Sequence, residues 1–308
     1  MKKHPFLCQI AALLLTPLLL LSGSPVIQAA EVSAVATTAM IGDLVSRIGG
    51  DGVKVSTLMG PGVDPHLYKP TAADAAKLSK ADVIFYNGLM LEGRMADLFA
   101  RISRGGKKVY AVTESVEESR LLEPPGFEGH YDPHVWMDVS LWAQTIPTIV
   151  QGLSEAAPEK ADTFRRNAEA LQASLVALDG WCKDQVASLP ETSRILVTSH
   201  DAYNYFGKAY GFQVVGLQGV STVSEAALAD MASLVDFIKS TGVKAIFVES
   251  SVNPSAINRV AADARVKVGG ELYSDAMGQP GEQKDGFDTG TYEGMIRYNM
   301  TTIVNALK

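Results

Sequence analysis

Residues 158–190 read PEKADTFRRNAEALQASLVALDGWCKDQVASLP, and this stretch decides how the rest of the chain is organised. Its apolar or small side chains recur at steps of three and four, at Phe164, Ala168, Leu171, Leu175, Leu178, Cys182, Val186 and Leu189. That spacing forms one stripe of a helix, and a proline stands at each end. A helix of roughly 28 residues is about 42 Å long. We predict either an ordinary core helix or a strut that joins two lobes.

The chain before this helix alternates between strand-like and helical segments. Strands are predicted over 33–39, 54–59, 82–87 and 107–112, with helices over 41–50, 71–81 and 92–103. Thr71 is placed to cap the second of these helices. This order is typical of a parallel sheet that carries helices on its faces.

The same alternation restarts after residue 190, which favours the strut. Strands are predicted over 194–200, 212–217, 244–250 and 266–274, with helices over 202–210, 224–240, 254–264 and 291–306. Ser224 is the expected cap of the helix over 224–240. We therefore predict an α/β fold of two similar lobes with parallel four-stranded sheets, joined by one long helix. The predicted division is an N-terminal α/β lobe over 31–157, a linker helix over 158–190 and a C-terminal α/β lobe over 191–308.

The first thirty residues have the pattern of a secretory signal. A basic start is followed by an apolar run to about Leu21, and small residues precede Glu31. Pro17 interrupts the run, which is short for a membrane span. Cys8 precedes the main apolar run, so it is a poor candidate for a lipid-modified N-terminus. We predict a cleavable signal peptide over 1–30 and a periplasmic protein; an uncleaved anchor is the alternative.

Composition excludes some partners. The formal charge is −7, and loss of Lys2 and Lys3 with the signal makes it −9. Such an acidic chain is not expected to bind nucleic acid or an anionic membrane. Cys182 is the one cysteine after the signal, so no intramolecular disulfide is expected. The remaining length of about 278 residues suffices for a substantial core.

Three histidines lie near predicted strand ends in a chain that has five. His66 and His134 each follow an Asp-Pro pair, and His200 ends a strand. Ligands of open parallel sheets bind at the carboxyl ends of the strands. Each proline stiffens its turn, and the preceding aspartate could accept the second ring N–H of the histidine. Taken singly, each Asp-Pro-His is more simply a turn; the three histidines together indicate a metal site.

A fourth ligand would come from an acid or a cysteine. Cys182 lies on the apolar stripe of the long helix, where burial is expected. Glu271 lies inside the last predicted strand. Asp275 follows that strand and is favoured, although it could instead cap the next turn.

The chain resembles a known family along its whole length after the signal. The resemblance rests on an ordered set of motifs: GVDPHLY, DVIFYNGLMLE, DPHVWMDV, VTSHDAYNYFGKAYGF, GLQGVSTVSEA, IFVESSVNP and GGELYSDAMG. It is similar to the TroA-like substrate-binding proteins of zinc and manganese ABC transporters (cluster A-I). The resemblance implies two α/β lobes joined by one long helix and one metal between them. It places the metal ligands at His66, His134, His200 and Asp275.

The resemblance also implies a function. The protein would bind a divalent metal ion in the periplasm and deliver it to an ABC permease of the inner membrane, as a monomer and without catalysis. Three imidazoles and a carboxylate suit one zinc ion per chain. Manganese is the alternative metal, and relatives with glutamate at the position of His200 lean toward it.

Two further functions are weaker readings of the sequence. A zinc hydrolase would need a general base beside an open metal position, and the sequence has no HExxH motif. An adhesin would need a partner that no motif identifies.

The chain departs from the family pattern in two places: Lys69 stands where the family often has an acid, and the loop before His134 is short. His130 is the one additional histidine of that loop and is expected to be solvated.

Overall fold

The computed structural model describes Met1, residues 31–93 and residues 95–308. The predicted signal peptide, from residue 2 to residue 30, lies outside the described residues. Within the described part of the chain, no helix has both the length and the apolar character needed to cross a membrane.

Four parallel strands form the sheet of the N-terminal half, in the order β2-β1-β3-β4. The elements are β1 (Val32–Ala36), α1 (Ala39–Gly49), β2 (Val53–Thr57), α2 (Ala72–Lys80), β3 (Val83–Tyr86), α3 (Met95–Arg104) and β4 (Lys108–Ala111). Thr71 caps α2 as predicted, since its side chain accepts a hydrogen bond from the amide of Asp74, whose carboxylate accepts one from the amide of Thr71. The sheet directs the carboxyl ends of its strands toward one edge.

The predicted long helix is confirmed. After α4 (Val139–Trp142) and α5 (Ile146–Ala156), the chain makes a single turn over 158–160 and enters α6 (Ala161–Ala187). The apolar stripe of α6 is buried along the 27 residues of the helix. Sequence analysis assigned no element to the region of α4 and α5.

The C-terminal half also has parallel strands. Its elements are β5 (Ile195–His200), α7 (Asn204–Tyr210), β6 (Gln213–Gln218), α8 (Leu228–Thr241), β7 (Ala245–Glu249), α9 (Ser255–Ala264), β8 (Lys267–Leu272), β9 (Gln283–Lys284), β10 (Phe287–Asp288) and α10 (Tyr292–Leu307). Among the described residues the pairs are β5 with β6 and β7 with β8, and β5 lies beside β7. The predicted α/β class, with parallel strands and one long helix, is confirmed; among the described residues the parallel strands of this half pair as two two-stranded sheets, where one four-stranded sheet was predicted.

One local prediction in this half is wrong, and one element was missed. Helix α8 begins at Leu228, so Ser224 does not cap it; the carboxylate of Asp230 accepts a hydrogen bond from the amide of Ala227 instead. The stretch 278–290, to which sequence analysis assigned no element, contains the antiparallel pair β9–β10. Asp285 and Gly286 turn this hairpin with φ angles of 51° and 83°, as a two-residue turn of type I′ requires.

One apolar core is shared by the two halves. It includes Phe85 of β3, Leu175 of α6 and Phe247 of β7, together with much of α5 and α10. Smaller clusters lie between the N-terminal sheet and α2–α3, and between β5–β8 and α8–α9. Both halves pack against α6 in this shared core, and the packing holds the ends of their strands close to one another.

Candidate metal centre

The four residues predicted from the sequence lie together where the two halves meet. His66 is in the loop after β2, and His134 begins a short turn that leads into α4. His200 is the last residue of β5, and Asp275 follows β8. One donor atom from each side chain lies within 4.8 Å of the other three.

The donor atoms are spaced as ligands of one ion would be. His66 Nε2 lies 3.3 Å from His134 Nε2 and 3.7 Å from Asp275 Oδ2. His134 Nε2 is 3.3 Å from Asp275 Oδ1, and His200 Nε2 is 3.2 Å from Asp275 Oδ2. Four donors placed about 2.0–2.1 Å from a tetrahedral zinc ion are about 3.3 Å from one another. Three of the four quoted distances, at 3.2–3.3 Å, are close to that spacing, with the contacts of Asp275 divided between its two oxygens.

Several of these atoms are buried without a hydrogen bond. Among the described residues, His200 Nε2 and both carboxylate oxygens of Asp275 have no well-aligned partner. Buried polar atoms are normally paired, because an unmade hydrogen bond is costly. A cation at the centre of the cluster would satisfy all three atoms at once.

A carboxylate orients His134. Asp132 Oδ1 accepts hydrogen bonds from the backbone amide of His134 at 2.9 Å and from its ring Nδ1 at 2.7 Å. This turns Nε2 toward the cluster and fixes which ring nitrogen carries the proton. The sequence-based expectation that the aspartate of Asp-Pro-His would accept the ring N–H holds at this histidine.

Glu249 does the same for His200, and sequence analysis missed it. Its Oε1 accepts the backbone amide of His200 at 2.9 Å and its Oε2 accepts ring Nδ1 at 2.5 Å. Glu249 is the last residue of β7, which lies beside β5. The available signal was an acid at the end of an otherwise apolar strand, IFVES, parallel to the strand that ends in His200.

His66 is held differently. Asp64 Oδ1 accepts only the backbone amide of His66, at 2.8 Å, so the expected bond from its ring is not formed. The second oxygen of Asp64 accepts a hydrogen bond from the hydroxyl of Thr222, in the C-terminal half, at 2.5 Å. The His66 side chain is 4% exposed, whereas those of His134, His200 and Asp275 are fully buried.

Asp275 is fixed through its neighbours. The side-chain amide of Asn299 bonds to both the N–H and the carbonyl of Tyr273, at 2.9 and 2.7 Å. The Tyr203 hydroxyl donates to the same carbonyl at 3.0 Å. Helix α10 thereby fixes the backbone just before the carboxylate that reaches the cluster.

The pKa values of the three histidines are shifted in different directions. Burial lowers the pKa of His66 to about 3. Burial would also lower the pKa of His134, but the charge of Asp132 and its hydrogen bond raise that pKa to about 9. Against the same effect of burial, Glu249 raises the pKa of His200 well above its ordinary value. Burial would raise the pKa of Asp275, but His200 and His134 hold it well below its usual range.

The residues that sequence analysis set aside lie outside the cluster. His130 is exposed beside the ring of Phe127. Glu271 is exposed on β8 and pairs with Lys284. Cys182 is buried on α6, and burial raises the pKa of its thiol to about 12.

A family profile described as "Zinc-uptake complex component A periplasmic", ZnuA, matches residues 34–306. The chain belongs to the ZnuA family. The match begins within β1 and ends within α10, so it spans nearly all of the fold just described. The resemblance found in the ordered motifs is thereby confirmed.

Two relatives within the ZnuA family are similar over most of their length. The manganese-binding lipoprotein MntA of Bacillus subtilis is 47% identical over 283 residues, 90% of each chain. The zinc-binding protein TroA of Treponema pallidum is 46% identical over 279 residues, 89% of this chain and 88% of TroA. The solved structure of that TroA superposes with a TM-score of 0.85 at 43% identity, covering 90% of this chain and 99% of TroA.

Membership of the ZnuA family gives the class of function. The family consists of substrate-binding proteins that bind metal ions and work with an ABC permease, and its members are not enzymes. This chain is therefore a metal-binding receptor of an ABC transporter. The sequence-based prediction of its function is confirmed at that level.

Proposed function

We propose that His66, His134, His200 and Asp275 together bind one divalent metal ion per chain, with zinc as the preferred ion. The observation that carries the proposal is the convergence of the four side chains, whose neighbouring nitrogen and oxygen atoms lie 3.2–3.7 Å apart. Three nitrogens and one oxygen suit zinc in a four-coordinate site. Such a set also binds zinc more tightly than manganese in the general order of affinities.

Manganese is the second candidate. The relative of 47% identity is named for manganese and the relative of 46% identity for zinc, so similarity alone favours neither metal. Asp275 is the one oxygen ligand in the proposed set, whereas manganese prefers oxygen. The donor chemistry therefore places zinc first.

The buried donors support capture and transport of the metal. A catalytic zinc site keeps one position for water or substrate. Here the donors form a closed set of four, of which three side chains are fully buried and the fourth is 4% exposed. We propose delivery to an inner-membrane permease by a monomeric periplasmic receptor, exported by a signal peptide that is cleaved near Ala30.

The test begins with elemental analysis of the purified protein. One equivalent of metal per chain is expected, together with no hydrolysis of ester or peptide substrates. Chelator-stripped protein is then titrated with zinc and manganese in competition, with His130→Ala as the control variant and His200→Ala as the ligand variant. A protein that retains no metal, or a His130→Ala variant that loses more affinity than His200→Ala, would refute the proposed site.

A further inference from the structure

The loop that carries His134 is fastened to the C-terminal half by buried hydrogen bonds. We call residues 132–138 the His134 arm. The Tyr205 hydroxyl donates to the carbonyl of Asp132 at 2.9 Å, and the side-chain amide of Asn204 donates to Asp132 Oδ2 at 3.0 Å. Both donors belong to α7, which follows His200 by only a few residues. The carboxylate that orients His134 is thus itself bound by the half that carries His200.

Trp136 adds a second set of bonds within the same arm. Its indole Nε1 donates to the carbonyl of Ser274, adjacent to Asp275, at 2.9 Å. Its own carbonyl accepts from the hydroxyl of Tyr292, in α10, at 2.7 Å. All of these groups are buried. The His134 arm therefore forms one packed unit with the strand ends that carry His200 and Asp275.

The loop that carries His66 lacks such anchoring. We call residues 60–68 the His66 arm. Among the described residues, the only side-chain hydrogen bond that joins this arm to the C-terminal half runs from Thr222 Oγ1 to Asp64 Oδ2. The other oxygen of Asp64 holds the backbone of His66. One carboxylate therefore connects the histidine to the opposite half.

The surroundings of this bond leave space for movement. Asp64 and Thr222 line a cleft of about 370 Å³, together with Leu67 and Glu225. Leu67, next to His66, is 54% exposed. A backbone with few buried contacts and several exposed residues opens more readily than one inside the core.

We propose that Asp64 and Thr222 form a clasp that positions His66 over the metal, and that the strength of this clasp sets the rate at which the metal leaves. His66 is then the first ligand to depart, while His134, His200 and Asp275 keep their places. This proposal rests on the proposed function, since it assumes that the four residues bind the metal. It adds two positioning residues that touch no metal themselves.

The expected size of the effect follows from the chemistry of the bond. A hydrogen bond to a charged acceptor contributes enough to change a rate about tenfold. Thr222→Val removes the hydroxyl and keeps the shape of the side chain. Thr222→Ser keeps the hydroxyl and should restore the clasp.

The test measures the dissociation of zinc from the full chain by stopped flow with an excess of chelator. Thr222→Val should release zinc about tenfold faster than the parent, while Thr222→Ser should stay within about twofold. The control is Thr241→Val, which likewise removes a donating threonine hydroxyl; this hydroxyl lies outside the site and donates to the backbone carbonyl of Phe237. Asp64→Ala should accelerate release by itself, and adding Thr222→Val to it should change little further.

A second measurement separates positioning from general loosening of the structure. The cobalt-loaded parent and Thr222→Val should give the same visible spectrum, and their metal-free forms should melt at the same temperature. A release rate for Thr222→Val within twofold of the parent would overturn the clasp, as would equal acceleration by valine and serine. A parent that retains no metal would instead overturn the proposed function itself.

Discussion

Two arms of this protein contain the same tripeptide, Asp-Pro-His, whose aspartate and histidine make different contacts in each arm. In the His134 arm, Asp132 bonds to both the backbone and the ring of the histidine. In the His66 arm, Asp64 bonds to the backbone of the histidine and gives its other oxygen to Thr222. The local sequence sets the turn in both arms, but the tertiary partners of the aspartate decide whether the imidazole is held by its ring.

This difference between the arms changes which of the four proposed ligands are grouped together. By position in the sequence, His66 and His134 precede the long helix, and His200 and Asp275 follow it. By contacts, His134 belongs with His200 and Asp275, because Tyr205, Asn204 and Trp136 bind its arm to the C-terminal half. The proposed site is therefore three fixed ligands and one movable ligand.

The largest expected effect is the stabilisation of the protein by zinc. At a free concentration a thousand times the dissociation constant, a bound ligand adds about 4 kcal/mol to the free energy of unfolding. His66→Ala removes the movable ligand and should keep more of this stabilisation than His134→Ala, which removes a fixed one. Calorimetry of the parent and of each variant, with and without zinc, measures this stabilisation. Equal melting temperatures for the stripped and loaded parent would rule out a bound ion.

The two arms should also give opposite dependence of stability on pH in the metal-free protein. The pKa of His134 in the folded protein is about 9, above its ordinary value. Protonated His134 therefore stabilises the fold fully below pH 6.5, and this stabilisation is lost as pH rises through 9. The pKa of His66, about 3, lies below that value, so its contribution is present above pH 6.5 and is lost as pH falls toward 3. At about 1.36 kcal/mol per pKa unit, the alkaline limb from His134 is worth about 3 kcal/mol between pH 6.5 and pH 9, and the acid limb from His66 about 2 kcal/mol between pH 6.5 and pH 5.

Denaturant unfolding of the stripped protein between pH 5 and pH 9 measures both limbs. Asp132→Asn should reduce the alkaline limb, to which His200 also contributes through Glu249, and leave the acid limb in place, whereas His66→Gln should reduce the acid limb only. If the parent shows constant stability between pH 6.5 and pH 9, Asp132 does not hold a proton on His134.

A smaller effect is expected on equilibrium affinity when the orienting carboxylates are neutralised. Loss of a partner that orients a ligating histidine typically weakens metal binding about 10–100-fold. Asp132→Asn should fall in this range, since it faces the ring of a fixed ligand, and Asp64→Asn should weaken zinc less than about fivefold. Competition titration with a chromophoric chelator gives both values.

Asp179→Asn is the matched control for these variants. Asp179 is a mostly buried acid on α6 that pairs with Lys183, away from the site. Its substitution should leave zinc affinity unchanged. Equal losses for Asp64→Asn and Asp132→Asn would remove the distinction between the arms.

The smallest of these effects concerns the choice of metal at a fixed ligand. His200→Glu replaces a nitrogen donor by a carboxylate that can bind through two oxygens, which manganese prefers. Zinc should weaken more than manganese, so the ratio of their affinities should narrow, by about tenfold. A competition titration at fixed pH measures the ratio, because protons compete with the metal for imidazole. An unchanged ratio would place selectivity in the geometry of the site.

The order of the elements was predictable because periodicity and capping are local signals. Helix α6 follows from its apolar stripe, and the cap of α2 follows from Thr71 and Asp74. Helix α4 is only four residues long and shows no sustained period, whereas the spacing of Ile146, Ile149 and Leu153 was an available signal for α5. Ser224 has the chemistry of a cap, but α8 starts further along, where Asp230 accepts from the backbone.

The candidate ligands could be found from the sequence, but their supporting bonds could not. Strand ends meet at one edge of a parallel sheet, so histidines placed there indicate a site. Glu249 stands 49 residues from His200, and Tyr292 stands 156 residues from Trp136. Bonds across such separations depend on the packing of whole helices and strands. The unequal freedom of the two arms is therefore a tertiary property that the repeated Asp-Pro-His does not reveal.

Hydrogen exchange of the zinc-loaded and the stripped protein tests the unequal freedom of the two arms most directly. Removal of the metal should increase amide exchange across the His66 arm, residues 60–68. It should leave the His134 arm, residues 132–138, as protected as before, because the buried bonds of Asp132 and Trp136 remain. An equal rise in both arms, or a rise confined to residues 132–138, would contradict a site of three fixed ligands and one movable ligand.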